Sequence, residues 1–296
     1  MVRLKFTIEL KYEVAGSPAD FIFNIHATQT RYQSLVGEKL EVSPGVPVFL
    51  FVDPVHGNRY ARLRADPGPL VVRYQATVDI AHHVAAPDSV GEIAIADLPP
   101  EALPYIYPSR YCQSDRLQQV ARAEFGNMQP GYGRVRAIRD WVQGRTRFLS
   151  SSSNATTSAV DTLSEQVGVC RDFAHLMIGI CRALNIPARF VTGIDYGSDP
   201  AFGPTDFHAY VEAFLGGRWY LFDPTGMTVP MGLIRLGTGR DAADVSFATI
   251  FGAVASSAPV ITIEAVADGA SGYCVPLVCP DALSTSDASE LAAAVA

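Results

Sequence analysis

Lysine is nearly missing from this chain of 296 residues. Only Lys5, Lys11 and Lys39 occur, so arginine carries almost all of the positive charge. Charged residues make up 18% of the sequence and the net charge is −7. A general nucleic-acid binder would show a basic footprint, so no nucleic-acid partner is expected. Cysteine is sparse and odd in number: Cys112, Cys170, Cys181, Cys274 and Cys279. Five thiols spread over such a length are not a disulfide framework. Cys274 and Cys279 are near enough to pair or to share a metal. No second Cys/His pair at zinc spacing accompanies them, and they read as free thiols. Neither a metal nor a cofactor is expected.

Long uninterrupted apolar runs are lacking too. The opening "MVRLKFTIELKYEV" has no secretory apolar region: Leu4, Phe6, Ile8, Leu10 and Tyr12 alternate with Arg3, Lys5, Thr7, Glu9 and Lys11. Period two over this length predicts a half-buried strand, and a cytoplasmic location follows if Met1 is the native start. The one uncharged stretch, Val245 to Ile263, is broken by Gly252, Ser256, Ser257 and Pro259. It reads as two strands of a soluble sheet, not as a membrane span.

What is present is ample material for a core, with 48% hydrophobic and 10% aromatic residues. Residues 1–105 read as strands and turns, an N-terminal all-β, sandwich-like domain. "ADLPPEALPYIYPSRY" carries four prolines and reads as the linker into a second domain, 106–267. Helices are predicted from Ser114 to Gly126, through "GRVRAIRDWVQGRTRF", briefly in "VDTLSEQ", and from Cys170 to Leu184. Strands follow in "ARFVTGIDY", "FHAYVEAFL" and "RWYLFDP". Residues 268–296 are small and polar and read as a tail, a frayed helix or disordered.

The helix "GVCRDFAHLMIGICRAL" is apolar on nearly every side and must be central to its domain. Gly168, two residues before Cys170, permits an unusual backbone angle and the close approach of another group. A thiol in a helix's first turn lies in the field of unpaired N–H groups, which favours the thiolate nucleophile. Free cysteines are nonetheless among the most buried and inert side chains, so the helix alone leaves both readings open. Cys181, in the apolar middle of the same helix, reads as inert.

A nucleophilic thiol needs a base, and the base an orienting group. His26, His56, His82 and His83 lie among turn-like or polar neighbours and read as surface residues. His175 caps or packs along the helix. His208 begins a strand whose partner follows Gly216-Gly217, a two-residue hairpin signal. With that loop Leu215 faces Arg218, Phe214 faces Trp219 and Tyr210 faces Asp223. His208 and Asp223 then lie diagonally on one face. Such a carboxylate would hold one ring nitrogen and leave the other for a thiol. A buried histidine satisfied by a chance carboxylate is the alternative.

The order Cys…His…Asp, a helix-start cysteine followed by a β-hairpin, resembles the transglutaminase-like superfamily. "GVCRDFAHL", "HAYVEAFLGGRWYLFDPT" and their spacing carry the resemblance, over about residues 105–245. "YPSRYCQSD", "SSNATTSAVDTL" and "GRDAADV" are similar to the family's bacterial branch, whose members commonly carry an N-terminal β domain. The resemblance implies an α+β fold with a papain-like core, its central helix packed on an antiparallel sheet. It implies Cys170 as nucleophile, His208 as general base and acid, and Asp223 as the orienting acid. The Cys170 N–H would be one oxyanion donor; Asn154, Ser152 and Gln166 are candidates for the second. Arg171 and Asp172 read as surface charges or as ties between helix and loop, and Arg240 and Asp241 as an ion pair.

The expected activity is that of a cysteine amidase or peptidase acting on a peptide or protein amide through a thioacyl-enzyme. The alternatives are a protein-glutamine acyltransferase and, in a different class, a non-catalytic binding module on the same fold. No dense D-x-D-x-D run marks a calcium loop, which counts against a metal-activated transglutaminase.

Overall fold

The alternation at the N-terminus produces a strand of 13 residues, β1 (Val2–Val14), whose Leu4, Phe6, Ile8, Leu10 and Tyr12 are all buried. The computed structural model describes residues 1–197, 204–267 and 272–287. After β1 come β2 (Ala19–Phe23), β3 (Gln33–Ser43), β4 (Val48–Val52), β5 (Arg59–Ala65), β6 (Gly68–Ile80) and the short β7 (His83–Ala85). β1 and β6 pair antiparallel along their whole length, from Val2↔Ile80 to Val14↔Gly68, with β3 outside β6. β2, β5 and β4 form a second sheet. Phe21, Phe23 and Leu63 of that sheet share one core with the inward residues of β1 and β6, which gives the layered β domain its pattern predicts.

The second half supplies α1 (Ser114–Phe125), α2 (Tyr132–Arg145), β8 (Arg147–Phe148), α3 (Ala159–Glu165), β9 (Val167–Gly168) and α4 (Cys170–Ala183). Then follow β10 (Ala188–Asp195), β11 (Phe207–Leu215), β12 (Arg218–Phe222) and β13 (Leu233–Gly239). These last four join an antiparallel sheet, and α4 lies against one of its faces. Leu176, Met177 and Ile180 of α4 share a core with Phe190, Val211, Ala213 and Phe222 of the sheet. The result is an α+β core with its most apolar helix at the centre.

Three expectations need correction. The uncharged run is three strands, not two: β14 (Ala248–Phe251), β15 (Val254–Ser256) and β16 (Val260–Ala265). They do not extend the second domain. β14 pairs with β2, while β15 and β16 pair with β1, so the chain returns to the N-terminal sheets. The limits 106–267 therefore cut across hydrogen-bonded ladders. The supposed tail also holds β17 (Ala282–Asp287), which pairs with β12 on one side and β7 on the other. "ALSTSD" is too polar to signal a strand by pattern, yet its Ser284, Thr285 and Ser286 are buried. Residues 268–271 and 288–296 of that segment lie outside the described residues.

The linker is not free either. Leu98, Ala102 and Tyr105 pack on Phe214 and Trp219. The buried Arg182 guanidinium donates to the carbonyls of Tyr107, Ala188 and Arg240 and to Ser109 Oγ, tying linker, helix and sheet together. The outer edge of β13 meets side chains of the β domain instead of a strand. Gln33 donates to and accepts from the backbone of Arg235, and Asn58 does the same with Thr238. Two side-chain amides thus finish an edge that would otherwise be open to another chain.

Candidate active site

Cys170 is the first residue of α4 and is half-buried. Its N–H has no acceptor within the helix, as for any first-turn amide. The helix start is fixed by Asp172, fully buried, whose Oδ2 accepts the Val169 N–H at 2.9 Å. A methyl group on Gly168 would lie 2.7 Å from Asp172 Cβ, so the group that approaches this glycine is the capping aspartate. The backbone of Gly168 is not in the left-handed region. Arg171 donates to Asp172 Oδ1, to Ser153 Oγ and to the Asn154 carbonyl, binding the preceding loop to the helix. Both charges are ties, not free surface groups.

The hairpin has the predicted register, from Leu215↔Arg218 through Phe214↔Trp219 to Val211↔Phe222. Gly216 and Gly217 both take positive φ, the conformation that tightens a two-residue turn. His208 and the next residue after β12, Asp223, are brought together and both are buried. His208 Nε2 lies 3.2 Å from Asp223 Oδ1. Asp223 Oδ1 also accepts from the N–H and hydroxyl of Thr225, and Oδ2 from the N–H and hydroxyl of Thr228. Burial alone would raise the Asp223 pKa; the His208 charge and these hydrogen bonds outweigh it and lower it to about 2. An ionised carboxylate only accepts, so Nε2 carries a proton and Nδ1 is the nitrogen left for other work. Burial pulls the His208 pKa down. The Asp223 charge and hydrogen bond, with a further contribution from the Cys170 thiol, hold it well above 6.5.

Cys170 and His208 both line a cleft of about 360 Å³. The thiol sulfur stands 4.0 Å from the Phe207 carbonyl oxygen. Tyr111, Phe190, Phe207 and Phe247 give the cleft aromatic walls, and Phe207 and Phe247 stack at 4.2 Å. Behind the wall His175 is fully buried, stacked on Tyr111, with Nε2 accepting the Ala242 N–H. Burial holds its pKa well below 6.5, so it is a neutral packing residue. Cys181 and Cys112 are buried thiols whose pKa values burial raises, that of Cys112 to about 12.

The oxyanion candidates fare differently from the hairpin pair. Asn154 and Gln166 are exposed, and Asn154 Oδ1 is occupied by the N–H and hydroxyl of Thr156. Ser152 is half-buried, and its Oγ has no partner among the described residues. None of the three lines the cleft. His26, expected at the surface, is buried at 3% exposure and packs on the Tyr74 ring, because it lies on the inward side of the β domain. His56, His82 and His83 are half-buried. Arg240 pairs with Asp244, not Asp241; Asp241 is buried and accepts the Tyr111 and Ala243 N–H groups.

Sequence reasoning passed over the threonine clamp, although Asp followed at two residues by Thr is a recognisable local turn pattern. It also passed over Asp195, a second buried carboxylate on β10 within electrostatic reach of His208 and Asp223. All five cysteines are free. Among the described residues there is no group of three or more His, Cys, Asp or Glu placed to hold a metal, and no helix long and apolar enough to cross a membrane.

Comparison with known proteins agrees with this architecture. Residues 118–224 match the transglutaminase-like superfamily, and residues 2–101 match the N-terminal domain of bacterial transglutaminase. A crystal structure of a Cytophaga hutchinsonii protein, described as a candidate cysteine protease, superposes with a TM-score of 0.88 at 38% identity. It covers 96% of this chain and 97% of that one. The chain belongs to the transglutaminase-like superfamily. An uncharacterised Mycobacterium leprae protein is 31% identical over 147 residues, 48% of this chain and 52% of its own. An uncharacterised Mycobacterium tuberculosis protein is 29% identical over 143 residues, 45% and 46%. The chain thus spans about half the length of these curated relatives. The transglutaminase-like match encloses Cys170, His208 and Asp223.

Proposed function

We propose that this protein is a cysteine-dependent amidase or peptidase. Cys170 is the nucleophile, His208 the general base and acid, and Asp223 the residue that orients the ring. The observation that carries the reading is one buried imidazole held by Asp223 through Nε2 and sharing a cleft with a helix-start thiol. The likeness to a solved structure described as a candidate cysteine protease supports it.

In this reading Cys170 is the thiolate and His208 carries the matching proton on Nδ1. The sulfur adds to the amide carbonyl carbon. The Cys170 N–H, free of intrahelical partners, donates to the oxyanion. The C–N bond breaks as His208 gives its proton to the leaving amine, which departs and leaves a thioester. His208, now neutral at Nδ1, removes a proton from water. The hydroxide adds to the thioester carbonyl, the C–S bond breaks, and carboxylic acid and thiolate are regenerated with His208 protonated again. Asp223 stays ionised throughout and stabilises the imidazolium. An amine in place of water would give acyl transfer by the same steps. The five free cysteines fit a reducing compartment, and a cytoplasmic location is part of the proposal.

The test is turnover of a peptide library by wild-type protein and by Cys170→Ala, with and without a labelled primary amine. Loss of turnover in a folded Cys170→Ala protein is the expected result. Full activity in that variant overturns the nucleophile. Amine incorporation exceeding hydrolysis replaces the hydrolase with an acyltransferase.

A further inference from the structure

Besides Cys170 and His208, the cleft carries two further ionisable side chains, Arg171 and Asp206. Arg171 is tied through Nε and Nη2 to Asp172, Ser153 Oγ and the Asn154 carbonyl. Asp206 differs. Its Oδ1 accepts the N–H of its own neighbour Phe207 at 2.7 Å, and among the described residues no basic side chain lies within ion-pair distance of it. Asp206 is exposed, and desolvation by the surrounding protein raises its pKa. A carboxylate that lines the cleft with no basic side chain among the described residues within ion-pair distance is open to a cation carried by the substrate. The walls around it are aromatic: Tyr111, Phe190 and the stacked pair Phe207 and Phe247. Such surfaces take the alkyl stem of a long cationic side chain and attract its charged end.

We propose that Asp206 selects substrates carrying a primary ammonium or guanidinium group next to the scissile amide, the charge meeting Asp206 and the stem lying on the aromatic walls. This rests on the reading of the Cys170 cleft as the substrate site. It makes Asp206 a specificity residue, since the proton transfers belong to His208.

Binding separates this proposal from the chemistry. The ligands are three capped peptides, acetyl-Ala-X-Ala-amide, with X lysine, norleucine or glutamate. The proteins are Cys170→Ala, which cannot turn them over, and the double variant Cys170→Ala/Asp206→Asn. Calorimetry should show the lysine peptide binding about tenfold or more tightly than the norleucine peptide, the scale of one charge-assisted hydrogen bond. The glutamate peptide should bind weakest. Asp206→Asn should erase the lysine preference while leaving norleucine binding in place, with circular dichroism showing an unchanged fold. Equal or undetectable binding of all three peptides overturns the proposal, as does a lysine preference that survives Asp206→Asn. Failure of the hydrolase reading appears elsewhere, as turnover that persists in Cys170→Ala.

Discussion

Asp223 holds His208 with one carboxylate oxygen and is itself held by both, Oδ1 through Thr225 and Oδ2 through Thr228. The imidazole therefore hangs from a fixed carboxylate, and the carboxylate keeps the ring's pKa high. Asp223→Asn keeps the shape and removes the charge. The His208 pKa should fall, so the alkaline limb of the kcat/KM profile should move to lower pH. General acid–base catalysis is worth roughly 10²–10⁴-fold, and kcat should drop within that range. An unshifted alkaline limb would remove His208 as the titrating group.

Stability should respond to pH through several buried groups, and four of them show how the signs differ. Asp223 has a folded pKa of about 2, below its unfolded value, so its contribution is present above the ordinary carboxylate range and lost as pH falls through about 2. His208 has a raised folded pKa; its contribution is present below 6.5 and lost as pH climbs through the folded value. His175 and His26 are held neutral by burial, His26 at a pKa of about 4. Below 6.5 the unfolded chain takes up protons that these two refuse, so they cost stability as pH falls. Each contributes at most about 1.4 kcal/mol per pH unit. Urea titrations between pH 7 and pH 4 should show a shallower acid loss for His26→Gln than for the parent protein. An identical slope would mean that His26 is accessible to protons in the folded state.

How much of this was readable beforehand differs by element. The hairpin was fully legible, because two glycines fix the loop length and loop length fixes which residues face each other. The helix start was legible in kind, since Gly168 announced a close approach; that Asp172 makes it needed the structure. β17 was hidden because its burial comes from neighbours far away in sequence, β7 and β12, and not from its own hydrophobicity. The return of residues 248–265 to β1 and β2 was hidden for the same reason. A strand pattern names a strand and never its partner. The second oxyanion donor was sought by sequence proximity to the helix, whereas the cleft is walled largely by β10, β11 and residues 242–248.

Glu212 is placed on the same face as His208 but serves the fold. It is fully buried and shared by two arginines, Arg189 and Arg235, whose side chains are also nearly inaccessible. Arg189 lies over the Trp219 ring as well. Glu212→Gln removes the carboxylate the two guanidinium groups share and leaves their charges in a poorly solvated interior. Breaking a buried pair in this way costs about 3–5 kcal/mol. The urea midpoint should fall accordingly, while iodoacetamide should still label Cys170 in the protein that remains folded. A loss below about 1 kcal/mol would mean that water reaches the two arginines.

Gly168→Ala tests the link between the helix start and the thiol. The added methyl would sit 2.7 Å from Asp172 Cβ and 3.1 Å from its Oδ2. Cβ is anchored to the helix backbone and cannot swing away as the end of a long side chain could. Either the strand Val167–Gly168 or the first turn of α4 must move, and overpacking of this kind costs about 1–3 kcal/mol. The movement falls on the Asp172 cap and on Cys170, two residues from the substitution. A lowered melting temperature and slower alkylation of Cys170 should therefore appear together. Unchanged alkylation in a destabilised protein would show that the strand yields and the helix start does not, which would detach Gly168 from the geometry of the thiol.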